Sequence, residues 1–171
     1  MVSLAMRRII GIDPGSRYTG YGIVDSDGRN SQHVVSGRIH TGKEEFCARL
    51  GIIYQGIEEI IAEYHPLEAA VEQVFMARNP SSALKLGQAR GAAISALVVA
   101  RLSVSEYTPR LVKQAVVGTG TAEKVQVGHM VRVMLNLNQP LTEDQGDALA
   151  VALCHAHMSE TTQRLKQGVS W

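Results

Sequence analysis

RIIGIDPGSRYTGYGIVDSDG, residues 8–28, sets the architecture. Arg8–Asp13 is a short, mostly apolar run that reads as a strand, and Pro14-Gly15 supplies turn geometry directly after Asp13. A second extended stretch, about 18–25, leads into Asp27-Gly28, a hairpin-turn dipeptide. A third strand follows at about 32–40. Three strands joined by tight turns form an antiparallel meander.

Beyond the meander the period of the pattern changes. Phe46, Leu50, Ile53, Tyr54, Ile57, Ile60 and Ile61 recur at spacings of three and four, an amphipathic helix that Pro66 ends. Residues 67–72 form a compact strand candidate, and Asn79-Pro80-Ser81-Ser82 closes a loop with a helix N-cap. An Ala- and Gly-rich helix at about 81–101 and a short strand at 103–107 come next. Pro109 opens a brief helix to about Val116. A Gly118-Thr119-Gly120-Thr121 loop precedes a helix from about Ala122 to Leu135, and a last helix spans about Leu141 to Met158. The order βββ-α-β-α-β-α-α-α describes an α/β chain. Its mixed five-stranded sheet joins the meander to two parallel strands through right-handed crossovers, and helices flank it. No linker or repeat divides it, so residues 1–158 read as one domain and the polar tail 159–171 as loose.

The 171 residues, 45% hydrophobic and 19% charged, suit a globular domain with a buried core. No signal peptide is legible, and no run reaches the roughly 18 apolar residues of a membrane span. Cys47 and Cys154 form no CxxC pair. The expectation is a reduced, cytoplasmic protein without a disulfide framework or structural zinc. The formal net charge of +1 conceals sorting along the chain: residues 76–132 hold 8 basic and 2 acidic side chains, against 7 and 10 before them and 2 and 4 after. An acidic partner should meet the basic middle third.

Four acids stand apart from the solvated helix faces. Asp13 and Glu72 close two strands, while Asp144 and Asp147 sit three apart in the first turns of the last helix and share a face. Acids at two strand ends meeting those of a helix across the sheet edge repel one another unless hard cations such as Mg²⁺ or Mn²⁺ neutralise them. The plain alternatives are helix-dipole stabilisation for the helix acids and ordinary turn chemistry for an Asp before Pro-Gly.

Ile10–Gly22 (IGIDPGSRYTGYG) resembles the opening of the RuvC family of Holliday-junction resolvases. The blocks Val71–Ala77, Ser82–Gly91, Val112–Gly118 and Asp147–Ala150 are similar to that family too, in family order, from about residue 8 to 157. The resemblance implies an RNase H-like fold and a divalent-metal endonuclease acting as a homodimer. It nicks two strands of like polarity at a four-way DNA junction, leaving 5′-phosphate and 3′-hydroxyl ends, in recombination and repair.

The family's catalytic, metal-holding acids match Asp13, Glu72, Asp144 and Asp147. The cofactor implied is Mg²⁺, with Mn²⁺ substituting, at two ions per site. One ion, on Asp13 and the helix acids, would activate water; the other, shared with Glu72, would stabilise the departing oxygen. The resemblance further implies RuvAB as protein partner and a short T-rich cleavage preference. Gln145-Gly146 departs from the small apolar residues usual between the last two acids, and a helical Gly costs about 0.5–1 kcal/mol relative to Ala.

For DNA binding, Phe75 is either a core anchor or, as the resemblance implies, a ring that stacks on an unpaired base. Lys113 and Lys124 bracket the Gly118–Thr121 loop, where a helix N-terminus suits a phosphate. They are otherwise ordinary surface lysines, and the family match favours contact with DNA phosphate. Arg78, Lys85, Arg90 and Arg110 are further backbone-contact candidates. Gly87 and Gly91, among alanines, suit close packing on the sheet or, from the resemblance, the dimer interface. Cys154-His155-Ala156-His157 and His129 are assigned no transition metal, because adjacent helical residues point apart. The rivals are a junction-binding protein without cleavage and, from Asp-x-Gly-Ser after a first strand, a kinase-like nucleotide binder. The second normally needs two such domains.

Overall fold

The computed structural model describes residues 5–74 and 79–166, with side chains described as far as residue 161. Strands β1 (Arg7–Asp13), β2 (Tyr18–Ser26) and β3 (Ser31–His40) form the meander. Helix α1 (Phe46–Tyr64) leads to β4 (Glu68–Glu72), α2 (Pro80–Val99) to β5 (Ser103–Tyr107), and α3 (Pro109–Val117), α4 (Lys124–Met134) and α5 (Glu143–Lys166) complete the chain. The sheet order is β3-β2-β1-β4-β5, with β1, β4 and β5 parallel. The expected mixed five-stranded sheet and the order of all ten elements are both present.

Local chemistry accounts for the punctuation. Asp27 Oδ1 accepts the amides of Arg29 and Asn30 at 2.9 and 2.7 Å, closing the β2–β3 turn around Gly28 at φ 94°. Asn79 Oδ1 accepts the Ser82 amide at 2.9 Å and Thr108 Oγ1 that of Leu111 at 3.1 Å, each cap followed by Pro at the first helical position.

The sheet separates two cores. Ile10, Ile12, Ile23, Ala69 and Val71 pack on α1 and α2 through Ile53, Ile57, Ala93 and Leu97. Ile9, Val24 and Ala70 face α3, α4 and α5. This alternation follows from the two-residue period of a strand. Among the described residues no helix is long and apolar enough to cross a membrane. Cys47 is exposed and Cys154 buried, and neither is in a disulfide.

Helix α5 runs to Lys166, eight residues past the expected end, so 159–166 are helical rather than loose. Tertiary contacts supply the reason. Arg7 donates to Ser159 Oγ at 2.9 Å, and Glu160, buried, pairs with Arg29 at 3.5 Å. A polar chain crosses beneath the same stretch. The buried His155 meets Tyr107 Oη through Nδ1 at 2.7 Å and Glu68 Oε2 through Nε2 at 2.6 Å, and Arg7 pairs with Glu68 at 2.9 Å. Glu68, paired with a cation, accepts from the ring Nε2. The Cys-His run on this helix therefore serves packing and this network.

Candidate active site

β1 and β4 lie parallel with Ile12 opposite Val71, so Asp13 and Glu72 end adjacent strands side by side. Both continue the alternation that places Ile9 and Ala70 under α5. Bringing α5 to them requires bare backbone. A Cβ on Gly11 would stand 2.1 Å from the Ala148 carbonyl oxygen, and one on Gly22 2.6 Å from Leu149 Cδ2. One on Gly20, the cross-strand partner of Asp13, would stand 2.2 Å from the Asp144 carbonyl oxygen. The helix therefore starts directly over the strand ends.

Its first turn is fastened by a reciprocal cap. Gln145 Oε1 accepts the Thr142 amide at 2.9 Å, and Thr142 Oγ1 accepts the Gln145 amide at 3.3 Å. Gln145 Nε2 also donates to the Ser36 carbonyl of β3 at 3.1 Å. The departure at Gln145 thus ties the acid-bearing turn to the sheet. Gly146 leaves the helix continuous.

Asp13, Glu72, Asp144 and Asp147 line one cavity of about 340 Å³ with Glu143, Lys113 and Lys124, over an apolar wall of Val112, Val127 and Ala150. Burial, reinforced by the negative charges of Asp147, Glu72 and Asp144, pushes the Asp13 carboxyl up to about 8 against the opposing pull of Lys124. Burial raises Glu72 as well, with Asp147 adding to it and Lys124 and Lys113 opposing. Asp147 is raised by burial in spite of Lys124. Two cations flank the acids: Lys124 pairs with Glu143 and reaches Asp147 at 3.4 Å, and Arg38 Nη1 lies 3.7 Å from Asp144 Oδ2. The Glu143 contact, chiefly, raises the Lys124 pKa and keeps the amine charged.

A crowd of half-buried carboxylates offering only oxygen ligands fits hard divalent cations. As the side chains stand, no three His, Cys, Asp or Glu among the described residues converge on one point at ligand distance. Lys124 contacts Asp147 instead, and Arg38 stands near Asp144.

The family model described as crossover junction endodeoxyribonuclease RuvC matches residues 9–155. The chain belongs to the RuvC family. It is 54% identical over 162 residues to a RuvC from Alkalilimnicola ehrlichii, covering 95% of this chain and 98% of that one. A Marinobacter nauticus RuvC is also 54% identical, over 94% of this chain and 91% of its own length. Among solved structures, Thermus thermophilus RuvC in complex with a Holliday junction substrate superposes with TM-score 0.86 at 34% identity, covering 91% of this chain and 96% of that one. The fold is accordingly the RNase H-like fold of RuvC.

Of the residues expected to contact DNA, Lys113 and Lys124 line the acid cavity. Arg90 does not: it pairs with Glu106 and donates to the Glu72 carbonyl oxygen at 3.3 Å, bracing the end of β4. Lys85 lies over the Phe46 ring at 5.8 Å, on the α1 side, and Arg110 packs beside Gly120. Phe75 and Arg78 fall outside the described residues. The N-terminus of α4 is closed by a capping box of Glu123 and Gln126, which puts the chain's own carboxylate where a phosphate was expected. Two residues of the site carry no mark in the sequence: Glu143, which partners Lys124, and Arg38, which partners Asp144. Gln145, a departure from the family pattern, closes a Thr-x-x-Gln cap.

Proposed function

We propose that the chain is a metal-dependent, structure-selective endonuclease that resolves Holliday junctions by paired nicks in strands of like polarity, leaving 5′-phosphate and 3′-hydroxyl ends, in DNA recombination and repair. One observation carries this reading: four carboxylates from β1, β4 and α5 share a cavity with two lysines in a RuvC-family chain.

Asp13, Asp144 and Asp147 would hold one Mg²⁺ or Mn²⁺, and Glu72 with Asp13 a second. Bound there, such ions supply an activated water and charge stabilisation for the departing 3′-oxygen. The chain's own groups do the rest. Lys124, kept charged, exchanges its carboxylate partners for phosphate oxygens, and Lys113 meets them from α3. The apolar wall of Val112, Val127 and Ala150 limits water beside the scissile bond. Phe75, three residues after Glu72, stacks on an unpaired base at the crossover.

A homodimer with a two-fold axis would present two such sites to paired strands. Helix α2 supports it: Ala89, Ala93, Ala96 and Leu97 are spent on the sheet, while Leu84, Gly87, Gly91 and Val98 lie exposed. A Cβ on either glycine would meet nothing within 4 Å, leaving a flat face for a second copy. RuvAB is the protein partner that the family membership points to.

The test is a synthetic four-way junction incubated with the protein and Mg²⁺ or Mn²⁺ beside linear duplex. Paired ligatable nicks in the junction are expected, and Asp147→Asn should bind the junction yet leave it uncut. Junction binding with no nick under either ion would establish the second reading, a binding protein without cleavage. The present ion pairs on Asp147 and Asp144 are the observation in that reading's favour.

A further inference from the structure

Arg38 belongs to residues 1–75, where 10 acids outnumber 7 bases, and nothing in its local sequence marks it. The strand register does. Arg38 of β3 pairs with Gly20 of β2, and Gly20 pairs with Asp13 of β1. Arg38, Gly20, Asp13 and Glu72 thus form one row across four strands, with Asp144 seated on the bare Gly20. The row ends in a cation on the side opposite Lys113 and Lys124.

The guanidinium is held without being consumed. It lies 4.2 Å over the Tyr18 ring, which is itself stacked on His40 at 4.6 Å and 14°. Its only charge partner among the described residues is Asp144 at 3.7 Å, beyond hydrogen-bond range, with the side chain 43% exposed. Among those residues it donates no hydrogen bond, so its planar fork is aimed and free. A ring beneath a guanidinium fixes its plane, and a fixed fork matches a phosphodiester's two free oxygens better than a mobile ammonium does.

We propose that Arg38, positioned by Tyr18, is a phosphate-binding residue for the DNA strand that leaves the acid cavity on the β3 side. The assignment rests on the nuclease reading above. Lys113 and Lys124 take the backbone on one flank of the acids and Arg38 takes it on the other, offsetting carboxylate repulsion at both ends of the scissile segment. Asp144 gives up its long ion pair when phosphate arrives, and the contact needs no metal.

The experiment measures binding of the full chain to a labelled four-way junction in EDTA, between about 50 and 200 mM salt. For every phosphate that a variant no longer neutralises, the slope of log affinity against log salt should fall by about 0.9 for each protomer bound. Arg38→Ala should show that reduction with several-fold weaker binding at low salt. Arg38→Gln, which keeps the stem's packing, should show it too. Arg29→Ala, an equal change of charge at the far end of the β2–β3 hairpin, should keep the wild-type slope. An unchanged slope in folded Arg38→Ala and Arg38→Gln, or an equal reduction in Arg29→Ala, overturns the assignment while leaving the nuclease reading intact. A wild-type chain that does not prefer the junction over linear duplex removes both.

Discussion

Gly20 and Asp144 touch backbone to backbone: the space where a Gly20 side chain would begin is filled by the Asp144 carbonyl oxygen, 2.2 Å from an ideal Cβ. Because Gly20 is also the cross-strand partner of Asp13, this contact sets how near the acids of α5 come to the acid of β1. Gly20→Ala forces the first turn of α5 off the sheet. Overpacking of this kind costs about 1–3 kcal/mol. The variant should show a lowered denaturation midpoint and a loss of junction cleavage well beyond that stability cost. Wild-type cleavage in Gly20→Ala would mean that the acids do not depend on this approach.

The acid cluster should also register in stability against pH. Asp13 has a folded pKa of about 8 against an ordinary value near 4, and Glu72 and Asp147 are displaced in the same direction. An acid raised on folding binds more protons folded than unfolded. Without divalent ions, the cluster's contribution therefore falls as pH rises from about 4 to about 8, then levels. Asp13→Asn should gain melting temperature on the wild type across that window, and Mg²⁺ should raise the wild-type melting temperature more near pH 8 than near pH 5. Parallel pH profiles for Asp13→Asn and wild type would show that these carboxylates are not in mutual repulsion.

Gly146 sits in the helical first turn of α5, and a Cβ there would meet nothing within 4 Å. Gly146→Ala should therefore raise stability by about 0.4–1 kcal/mol, read from denaturant midpoints, with cleavage kept. The opposite result is expected at Thr142, whose hydroxyl caps the same turn. Thr142→Ala should cost about 1 kcal/mol, and the first turn should lose amide-exchange protection.

At the other end of α5, His155 links Tyr107 to Glu68 and, through Glu68, to Arg7. His155→Ala leaves a half-buried carboxylate and a phenol short of a partner. A decrease of about 1–3 kcal/mol in unfolding free energy is expected. His155→Gln, able to donate to one neighbour and accept from the other, should recover part of it. Equal midpoints for the Ala variant and wild type would mean that water replaces the ring at no cost.

Much of the molecule was legible in one dimension because its signals are local. The meander, the helix periodicity, the proline start of α3, and the positions of Asp13, Glu72, Asp144 and Asp147 at strand ends and on one helix face all follow from short-range pattern. Misjudged features depended on distant partners. Residues 159–166 are polar and carry no helical pattern, but Ser159 and Glu160 are held by Arg7 and Arg29 from the start of the chain. Arg90 looks like a surface base until Glu106 and the Glu72 carbonyl are seen beside it.

Taken alone, the sequence determined the elements, their order and the family blocks that point to candidate site residues, since periodicity, turn residues and motif spacing are properties of neighbours along the chain. Tertiary structure decided what those residues do to one another. Strand register put Gly20 between Asp13 and Arg38, and three glycines let α5 settle onto the sheet. Burial then turned separate acids into a single repelling cluster. Charge in a protein acts through distance and dielectric, and both are fixed only when the chain has folded.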